Sequence, residues 1–347
     1  MVKTVFFLGA TGYIGGSVLQ HLLGTPGEYS ITALVRNADK AKKLETFGVK
    51  TILGNLDDSD KIQQAAADAD ITIHTAHADH VGAAKAILAG AKVRFEKTGV
   101  APIYIHTSGT GVFTDHALGT HYDPAKLPLY DDSNRAVLDS IPDSAVHRNV
   151  DLIVLGGDEE GYVKSYIVLP STIYGLLTGK LVDAGIANPH SIQIPIAIKA
   201  SILRGQGAVV GPGENEWPHV EIHELSDLYI RLLKAAIDGT ATHGRDGLYI
   251  GENGTYLLKD AAKTYTRALH AAGKSRTPEP ESFTKEDIDK YFGGPYLGSN
   301  SRAKAVRAKR DLGWAPTKGD ADFFKSIEEE VASILADPHG TELHELR

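Results

Sequence analysis

Residues 3–15 read Lys3-Thr4-Val5-Phe6-Phe7-Leu8-Gly9-Ala10-Thr11-Gly12-Tyr13-Ile14-Gly15. An apolar run typical of a buried strand leads into glycines spaced by three, and a helical apolar pattern follows. The first glycine permits a tight turn, the second lets the backbone approach a pyrophosphate, and the third lets the helix pack on the sheet. The free N–H groups of the helix would then hold the pyrophosphate. The motif predicts a dinucleotide-binding loop, whereas a turn and helix that bind nothing are the alternative. The predicted contacts are Gly9, Thr11, Gly12, Tyr13, Ile14 and Gly15.

Short apolar runs alternate with helical patterns through the first 110 residues, and each run is continuous rather than alternating. Strands of this kind are covered by helices on both faces, as in βαβ units of a parallel sheet. The sequence therefore predicts an α/β fold of the Rossmann type, with a doubly wound parallel sheet. The predicted strands are Lys3–Leu8, Ser30–Val35, Lys50–Leu53, Asp70–Thr75, Ala101–Thr107 and Ser165–Leu169.

The regular alternation stops near residue 175, where Pro, Gly and His interrupt shorter elements. We expect an NADP(H)-binding Rossmann domain over residues 1–175. Residues 176–347 would form mainly a smaller substrate-binding lobe, with some segments returning to the first domain.

The end of the second predicted strand indicates which cofactor binds. An acidic residue there would bind the ribose 2′-hydroxyl, whereas an arginine favours a 2′-phosphate. The strand ends at Arg36, with no carboxylate before Asp39. NADP(H) is therefore favoured over NAD(H), unless Arg36 is a solvated surface residue. After the third strand, Asn55, Leu56 and Asp57 would lie near the adenine, or would simply begin a helix.

Composition excludes several classes of function. The chain has no cysteine, which rules out disulfides, thiolate metal sites and cysteine nucleophiles. A net charge of −8 argues against nucleic-acid binding. No apolar stretch approaches the roughly 20 residues that span a bilayer, and the run before Gly9 is too short for a signal peptide. We expect a soluble, cytoplasmic protein without a membrane or nucleic-acid partner.

Several landmarks along the chain resemble an extended, atypical short-chain dehydrogenase/reductase of the NAD-dependent epimerase/dehydratase family, NmrA-like members included. The resemblance rests on the glycine loop, Ile105–Ser108, Val168–Gly175, His219–Leu228 and Leu312–Pro316. It implies that Thr107, Pro170 and Ile173 contact the cofactor, and that Ser108 supplies the catalytic hydroxyl. It also implies a small-molecule substrate and leaves a homodimer open.

The family's reaction uses a tyrosine and a lysine four residues apart on a helix, with the tyrosine as general acid or base. The literal match is Tyr122 and Lys126, but Pro124 between them favours a loop. A helix predicted over Ser144–Leu155 holds His147 and Asp151 at the equivalent positions, where a carboxylate could orient an imidazole. A solvated polar face is the alternative.

Two further polar clusters are candidates. His74-Thr75-Ala76-His77-Ala78-Asp79-His80 closes the fourth predicted strand, and in this fold Thr75, Ala76 and His77 would lie beside the nicotinamide ribose. Pocket lining or helix capping is favoured for these histidines, and no metal site is predicted. The resemblance places Tyr174, Trp217 and His219 toward the substrate. Trp217 stands where sugar-nucleotide enzymes place an arginine, so it would stack on a ligand or pack in a core.

Three functions follow as alternatives. The first is an NADP(H)-dependent oxidoreductase acting on a carbonyl or activated double bond of a small molecule other than a sugar nucleotide. The second is a non-reducing isomerase, epimerase or dehydratase. The third is an NADP(H)-binding regulator or sensor without turnover.

Overall fold

The computed structural model describes residues 2–337. The strands within this range are β1 (Lys3–Leu8), β2 (Tyr29–Val35), β3 (Lys50–Leu53), β4 (Ile71–His74), β5 (Ile103–Thr107), β6 (Tyr130–Asp131), β7 (Lys164–Pro170), β8 (Thr172–Tyr174), β9 (Ala208–Val209), β10 (Glu216–Glu221), β11 (Leu248–Gly251), β12 (Thr255–Leu257), β13 (Glu281–Ser282) and β14 (Ala303–Lys304).

The α-helices in the same range are α1 (Tyr13–Leu22), α2 (Ala38–Glu45), α3 (Ser59–Ala67), α4 (Val81–Thr98), α5 (Arg135–Asp139), α6 (Arg148–Glu159), α7 (Lys180–Asp183), α8 (Gln193–Arg204), α9 (Ile222–Asp238), α10 (Leu258–Ala271), α11 (Lys285–Phe292), α12 (Arg307–Asp311) and α13 (Asp320–Ala336). None of them is both long and apolar enough to cross a membrane.

A seven-stranded sheet forms the centre, in the order β11-β7-β5-β4-β1-β2-β3 with every pair parallel. Helices α3, α4 and α6 pack in a row, and α1 packs on α9. The predicted Rossmann-type, doubly wound fold is confirmed. The strand order reverses between β1 and β4, which is where such sheets bind ligands at their carboxyl ends.

Apolar side chains form two separate cores. The larger surrounds the central sheet, and the smaller joins α8, α10, α11 and α13. Strand β11 and helix α9 follow residue 176 but contribute to the larger core. The boundary at residue 175 stays a prediction.

One predicted helix boundary is wrong. The helix expected over Ser144–Leu155 runs instead over Arg148–Glu159, and His147 precedes it with a φ of 66°. A left-handed residue cannot lie inside a right-handed α-helix. His147 is therefore the residue before the first turn of α6, and its carbonyl accepts from the Asp151 backbone N–H.

Candidate active site at the carboxyl edge of the sheet

The loops that follow β1, β2, β3, β4, β5 and β7 all lie at one edge, because these strands are parallel. The residues predicted to bind the cofactor lie at or next to this edge, although the first and the last of them are more than 150 positions apart in the sequence. They are Gly9, Thr11, Gly12, Tyr13, Ile14, Gly15, Arg36, Asn55, Leu56, Asp57, Thr75, Ala76, His77, Thr107, Pro170 and Ile173.

Glycines are required in the β1–α1 loop because the backbone approaches itself closely. Gly9 has a φ of 87°, and a methyl group there would lie 2.6 Å from the Thr75 backbone. A methyl group on Gly15 would lie 2.1 Å from the Gly9 carbonyl oxygen. Gly12 begins α1 without any side chain accepting the helix's free N–H groups. The Tyr13 hydroxyl donates to the Gly175 carbonyl, so its ring anchors α1 rather than facing the loop.

Positive charge gathers where β2 ends. Arg36 is exposed, and no described residue forms an ion pair with it or with the half-buried Lys40 nearby. Desolvation, together with the charges of Lys43 and Arg36, lowers the pKa of Lys40. Asn37 caps α2 by accepting from two backbone N–H groups. The arrangement is a cationic patch without a protein counter-ion.

The loop after β3 contacts the start of α4. Asn55 accepts from the backbone N–H of Asp57 at 2.7 Å. The Asp57 carboxylate is 3.2 Å from His80 Nε2, and His80 Nδ1 accepts from the Ala83 N–H. His80 therefore caps α4, one of the roles expected for the histidine-rich stretch.

The ends of β4 and β5 are fixed by buried hydroxyls. Thr75 Oγ1 donates to the Leu8 carbonyl at 3.1 Å. Thr107 Oγ1 shares a hydrogen bond of 2.7 Å with the Tyr229 hydroxyl of α9. These hydroxyls fix the ends of β4 and β5 and are themselves engaged in hydrogen bonds within the protein.

His147 pairs with a carboxylate other than the expected one. Its Nδ1 lies 2.8 Å from Asp79 Oδ1, whereas Asp151 bonds to Ser108. The prediction that Asp151 orients His147 on one helical face is therefore wrong, because His147 lies outside the helix and turns toward the loop after β4. Its Nε2 faces the loop after β5, 3.6 Å from the position of a Cβ on Gly109.

The Asp79–His147 pair suits proton transfer. Burial would raise the pKa of Asp79, but the hydrogen bond and charge of His147 outweigh it, and the pKa falls below its usual value. An ionised Asp79 accepts the Nδ1 proton, so Nε2 is the atom that exchanges a proton with a ligand. Asp79 lies in the stretch singled out from the sequence, but its partner is 68 residues away.

Ser108 begins a buried chain of polar side chains. It donates to Asp151 Oδ2 at 3.0 Å, and Asp151 Oδ1 is 3.8 Å from His106 Nε2. The nitrogens of His106 and His74 are 3.3 Å apart, and Tyr104 lies 3.1 Å from His74. His74 and His106 are register partners on β4 and β5, which places their rings side by side.

Burial controls the ionisation of this chain. Desolvation raises the pKa of Asp151 to about 7, although the Ser108 hydrogen bond opposes it. Desolvation lowers the pKa of His74 to about 3 and that of His106 well below its usual value. Both histidines are therefore neutral near pH 7, whereas the pKa of Asp151 lies close to this pH.

Tyr122 and Lys126 do not form the dyad that their spacing allows. They lie in a loop, where the Arg302 guanidinium stacks 4.1 Å from the Tyr122 ring centre. The Lys126 side chain is 85% exposed and pairs with Asp123. A lysine in this position cannot hold a ribose beside the tyrosine, so this candidate is rejected.

The three residues predicted to face the substrate are buried in the smaller core. Trp217 donates its indole N–H to the Ser299 carbonyl at 2.6 Å, so the prediction that it stacks on a ligand is wrong and its core-packing alternative holds. His219 stacks on Phe323 and bonds to Asp320 at 2.8 Å. Tyr174 packs edge-on against His219. Apolar packing across the lobe, invisible to motif matching, decides these positions.

Tyr296 is the residue that sequence reasoning missed. It comes from the second half of the chain, in a 3₁₀ turn over Tyr296–Gly298. Its hydroxyl reaches Gly111 in the loop after β5, close to His147. No local pattern around residue 296 indicates this contact.

Comparison with known proteins agrees with this architecture. Residues 1–94 match the model of the NmrA-like family. A protein of an Acremonium species named oxidase ucsJ is 29% identical over 336 residues, which cover 91% of this chain and 93% of that one.

Two solved structures share the fold over nearly the whole chain. The PbgP3 protein of Burkholderia pseudomallei has a TM-score of 0.67 at 16% identity, covering 98% of this chain and 99% of that one. A dTDP-glucose 4,6-dehydratase of Bacillus anthracis, in complex with NAD, has a TM-score of 0.62 at 13% identity, with 98% of each chain covered. These findings agree with the resemblance seen in the sequence: residues 1–94 are similar to the NmrA-like family, and the whole chain shares its fold with an enzyme of the epimerase/dehydratase type.

Proposed function

We propose that the protein is an NADP(H)-dependent oxidoreductase acting on a carbonyl or activated double bond of a small organic molecule that is not a sugar nucleotide. One observation carries the proposal. The Asp79–His147 pair lies against the loop after β5, beside Ser108, at the same sheet edge as the glycine loop. A proton-transfer group and a dinucleotide cradle therefore share one edge.

The residues present fit a dinucleotide. The first turn of α1 has no side-chain cap, so its N–H groups are free to hold a pyrophosphate. Gly9, Gly12 and Gly15 would hold that group, and a side chain at Gly12 would project into its place.

The patch at the end of β2 supports NADP(H) over NAD(H). Arg36 and Lys40 are cations without an anionic partner among residues 2–337. A 2′-phosphate would neutralise both of them and oppose the desolvation and the neighbouring positive charges that lower the pKa of Lys40.

The nicotinamide, when bound, supplies or accepts a hydride. The protein must then move a proton at the substrate oxygen or carbon. His147 Nε2 can do so, because Asp79 holds Nδ1 and stabilises the cation that forms. Ser108 donates to Asp151, so its hydroxyl oxygen retains lone pairs. The next residue, Gly109, lies against the His147 ring.

The relatives support an enzyme of this superfamily. The Acremonium relative is named an oxidase, and the Bacillus anthracis dehydratase holds NAD. Position 217 carries a buried tryptophan where a cation would be needed for a sugar-nucleotide pyrophosphate. This favours a smaller, uncharged substrate.

Calorimetry with NADPH and NADH tests the cofactor assignment. Arg36→Ala should weaken NADPH binding by about 10- to 150-fold, since a charge-assisted phosphate contact contributes about 1.5–3 kcal/mol. NADH binding should hardly change. Arg276→Ala is the control, because Arg276 is an exposed arginine of the second lobe. Equal losses for both cofactors would remove Arg36 from a phosphate site.

Cofactor consumption tests the reaction type. Wild-type protein is incubated with NADPH and a panel of aldehydes, ketones and enones, and loss of the reduced nicotinamide is followed by absorbance. Net NADPH oxidation with some member of the panel is the expected result. Product formation without net oxidation would favour the isomerase alternative. Tight NADPH binding with no turnover would favour the regulator.

A further inference from the structure

We propose that the Tyr296 hydroxyl is the proton donor to the substrate oxygen. Tyr296 comes from the second half of the chain, and its hydroxyl lies close to the Asp79–His147 pair. The inference rests on the proposed function. It assigns the role of the family's tyrosine to a residue outside the Tyr-x3-Lys arrangement, which Tyr122 and Lys126 cannot supply.

Geometry places the Tyr296 hydroxyl against Gly111 and next to His147. A Cβ built on Gly111 would lie 2.4 Å from the Tyr296 hydroxyl oxygen and 3.3 Å from His147 Nε2. Both polar atoms thus lie over the same glycine. Only a residue without a side chain at position 111 lets the phenol come this close.

The Tyr296 ring is held firmly, while its hydroxyl is left without a partner. Trp217 packs edge-on against the ring at 5.5 Å. The Tyr296 carbonyl accepts from both the backbone N–H and the hydroxyl of Ser299. No group within residues 2–337 hydrogen-bonds to the phenol oxygen. A half-buried, fixed hydroxyl with free hydrogen-bonding capacity is suited to a ligand oxygen.

Charge keeps this hydroxyl protonated. Burial raises the pKa of Tyr296, and the negative charge of Asp79 raises it further. The hydroxyl is therefore present as O–H, the form that can give a proton in the direction of substrate reduction. Trp217, buried in the smaller core, then has a part in the site, since its ring and its bond to Ser299 fix the Tyr296 turn.

The proton balance for a carbonyl substrate is complete. The carbonyl carbon gains the hydride, and its oxygen takes the proton from the Tyr296 O–H bond, which gives an alcohol. His147 Nε2 then relays a proton from water to the phenolate. Water reaches this relay because the His147 side chain is 20% exposed.

Tyr296→Phe tests the assignment. Its kcat for NADPH oxidation should fall by about 10²–10⁴-fold, while NADPH affinity stays that of wild type. Tyr291→Phe is the matched control, because this buried tyrosine lies in the preceding helix, away from Gly111. It should keep wild-type turnover.

Gly111→Ala reaches the same hydroxyl without removing it. The new methyl group must displace Tyr296, and a misplacement of about 1 Å costs up to about 10²-fold in rate.

The imidazole NMR spectrum of the free protein provides a second measurement, which needs no cofactor. The His147 signals, identified by their loss in His147→Asn, should shift in Tyr296→Phe and Gly111→Ala but not in Tyr291→Phe.

The outcomes separate the two proposals. If the wild type oxidises NADPH and Tyr296→Phe keeps that rate, or leaves the His147 signals unmoved, the Tyr296 assignment is overturned and the proposed function stands. If the wild type binds NADPH but consumes none with any carbonyl or enone, both are overturned.

Discussion

Replacing Asp151 with asparagine should remove a pH-dependent loss of stability. Asp151 is fully buried and accepts a hydrogen bond from Ser108. Its second oxygen lies 3.8 Å from the neutral His106, too far for a hydrogen bond, and no lysine or arginine within residues 2–337 forms an ion pair with it. The carboxyl therefore resists ionisation in the folded protein. Asparagine keeps an acceptor for Ser108 but cannot ionise.

The magnitude follows from the pKa. Desolvation raises the pKa of Asp151 from 3.8 to about 7. The folded protein thus holds this proton more tightly than the unfolded chain. The contribution of this proton to the free energy of unfolding is fully present below about pH 4 and is lost as the pH rises through about 7. At 1.36 kcal/mol for each tenfold change in proton affinity, the whole loss is about 4 kcal/mol.

Urea unfolding of both proteins between about pH 4 and about pH 9 provides the measurement. The free energy of unfolding of Asp151→Asn, relative to wild type, should rise with pH by up to about 4 kcal/mol and level off above about pH 8. Packing changes shift the whole curve and leave this slope unaffected. Asp143→Asn, at an exposed aspartate, is the control and should follow wild type. Parallel curves for Asp151→Asn and wild type would refute the buried, proton-retaining carboxyl.

Two further predictions concern ligand binding and turnover. Gly12→Val should fold, since Gly12 has an ordinary φ of −83° and a small shift of the loop relieves the 3.2 Å contact of a Cβ there with the Gly9 carbonyl oxygen. Calorimetry should detect no NADPH binding because the side chain covers the free N–H groups of α1; retained affinity in a folded variant would contradict the loop assignment. His147→Asn suits the left-handed backbone at φ 66° and should lower kcat by about 10²–10⁴-fold with NADPH affinity unchanged. Wild-type turnover in that variant, measured beside the exposed-site control His116→Asn, would exclude His147 from proton transfer.

Local sequence patterns predicted much of the central sheet. The bounds of β1 and β3 agree with the predicted strands, and β2, β4, β5 and β7 differ by one or two residues at either end. Continuous apolar runs and turn glycines are local signals, so neighbouring residues alone carry them. The predicted start of α6 is wrong because no local pattern signals the left-handed backbone at His147, and the Asp79 partner of its side chain lies 68 residues away.

The sequence by itself determined the Rossmann-type fold, the glycine loop and the position of Arg36 at the end of β2. Each follows from one strand, one turn and the helix after it. Only the tertiary structure decided which side chains meet: Asp79 with His147, Ser108 with Asp151, and the Tyr296 hydroxyl with Gly111. Parallel strands bring their carboxyl ends together from distant parts of the chain, and Tyr296, which packs against the smaller core, adds a residue to that edge. Such contacts depend on packing across the whole fold, so no local pattern encodes them.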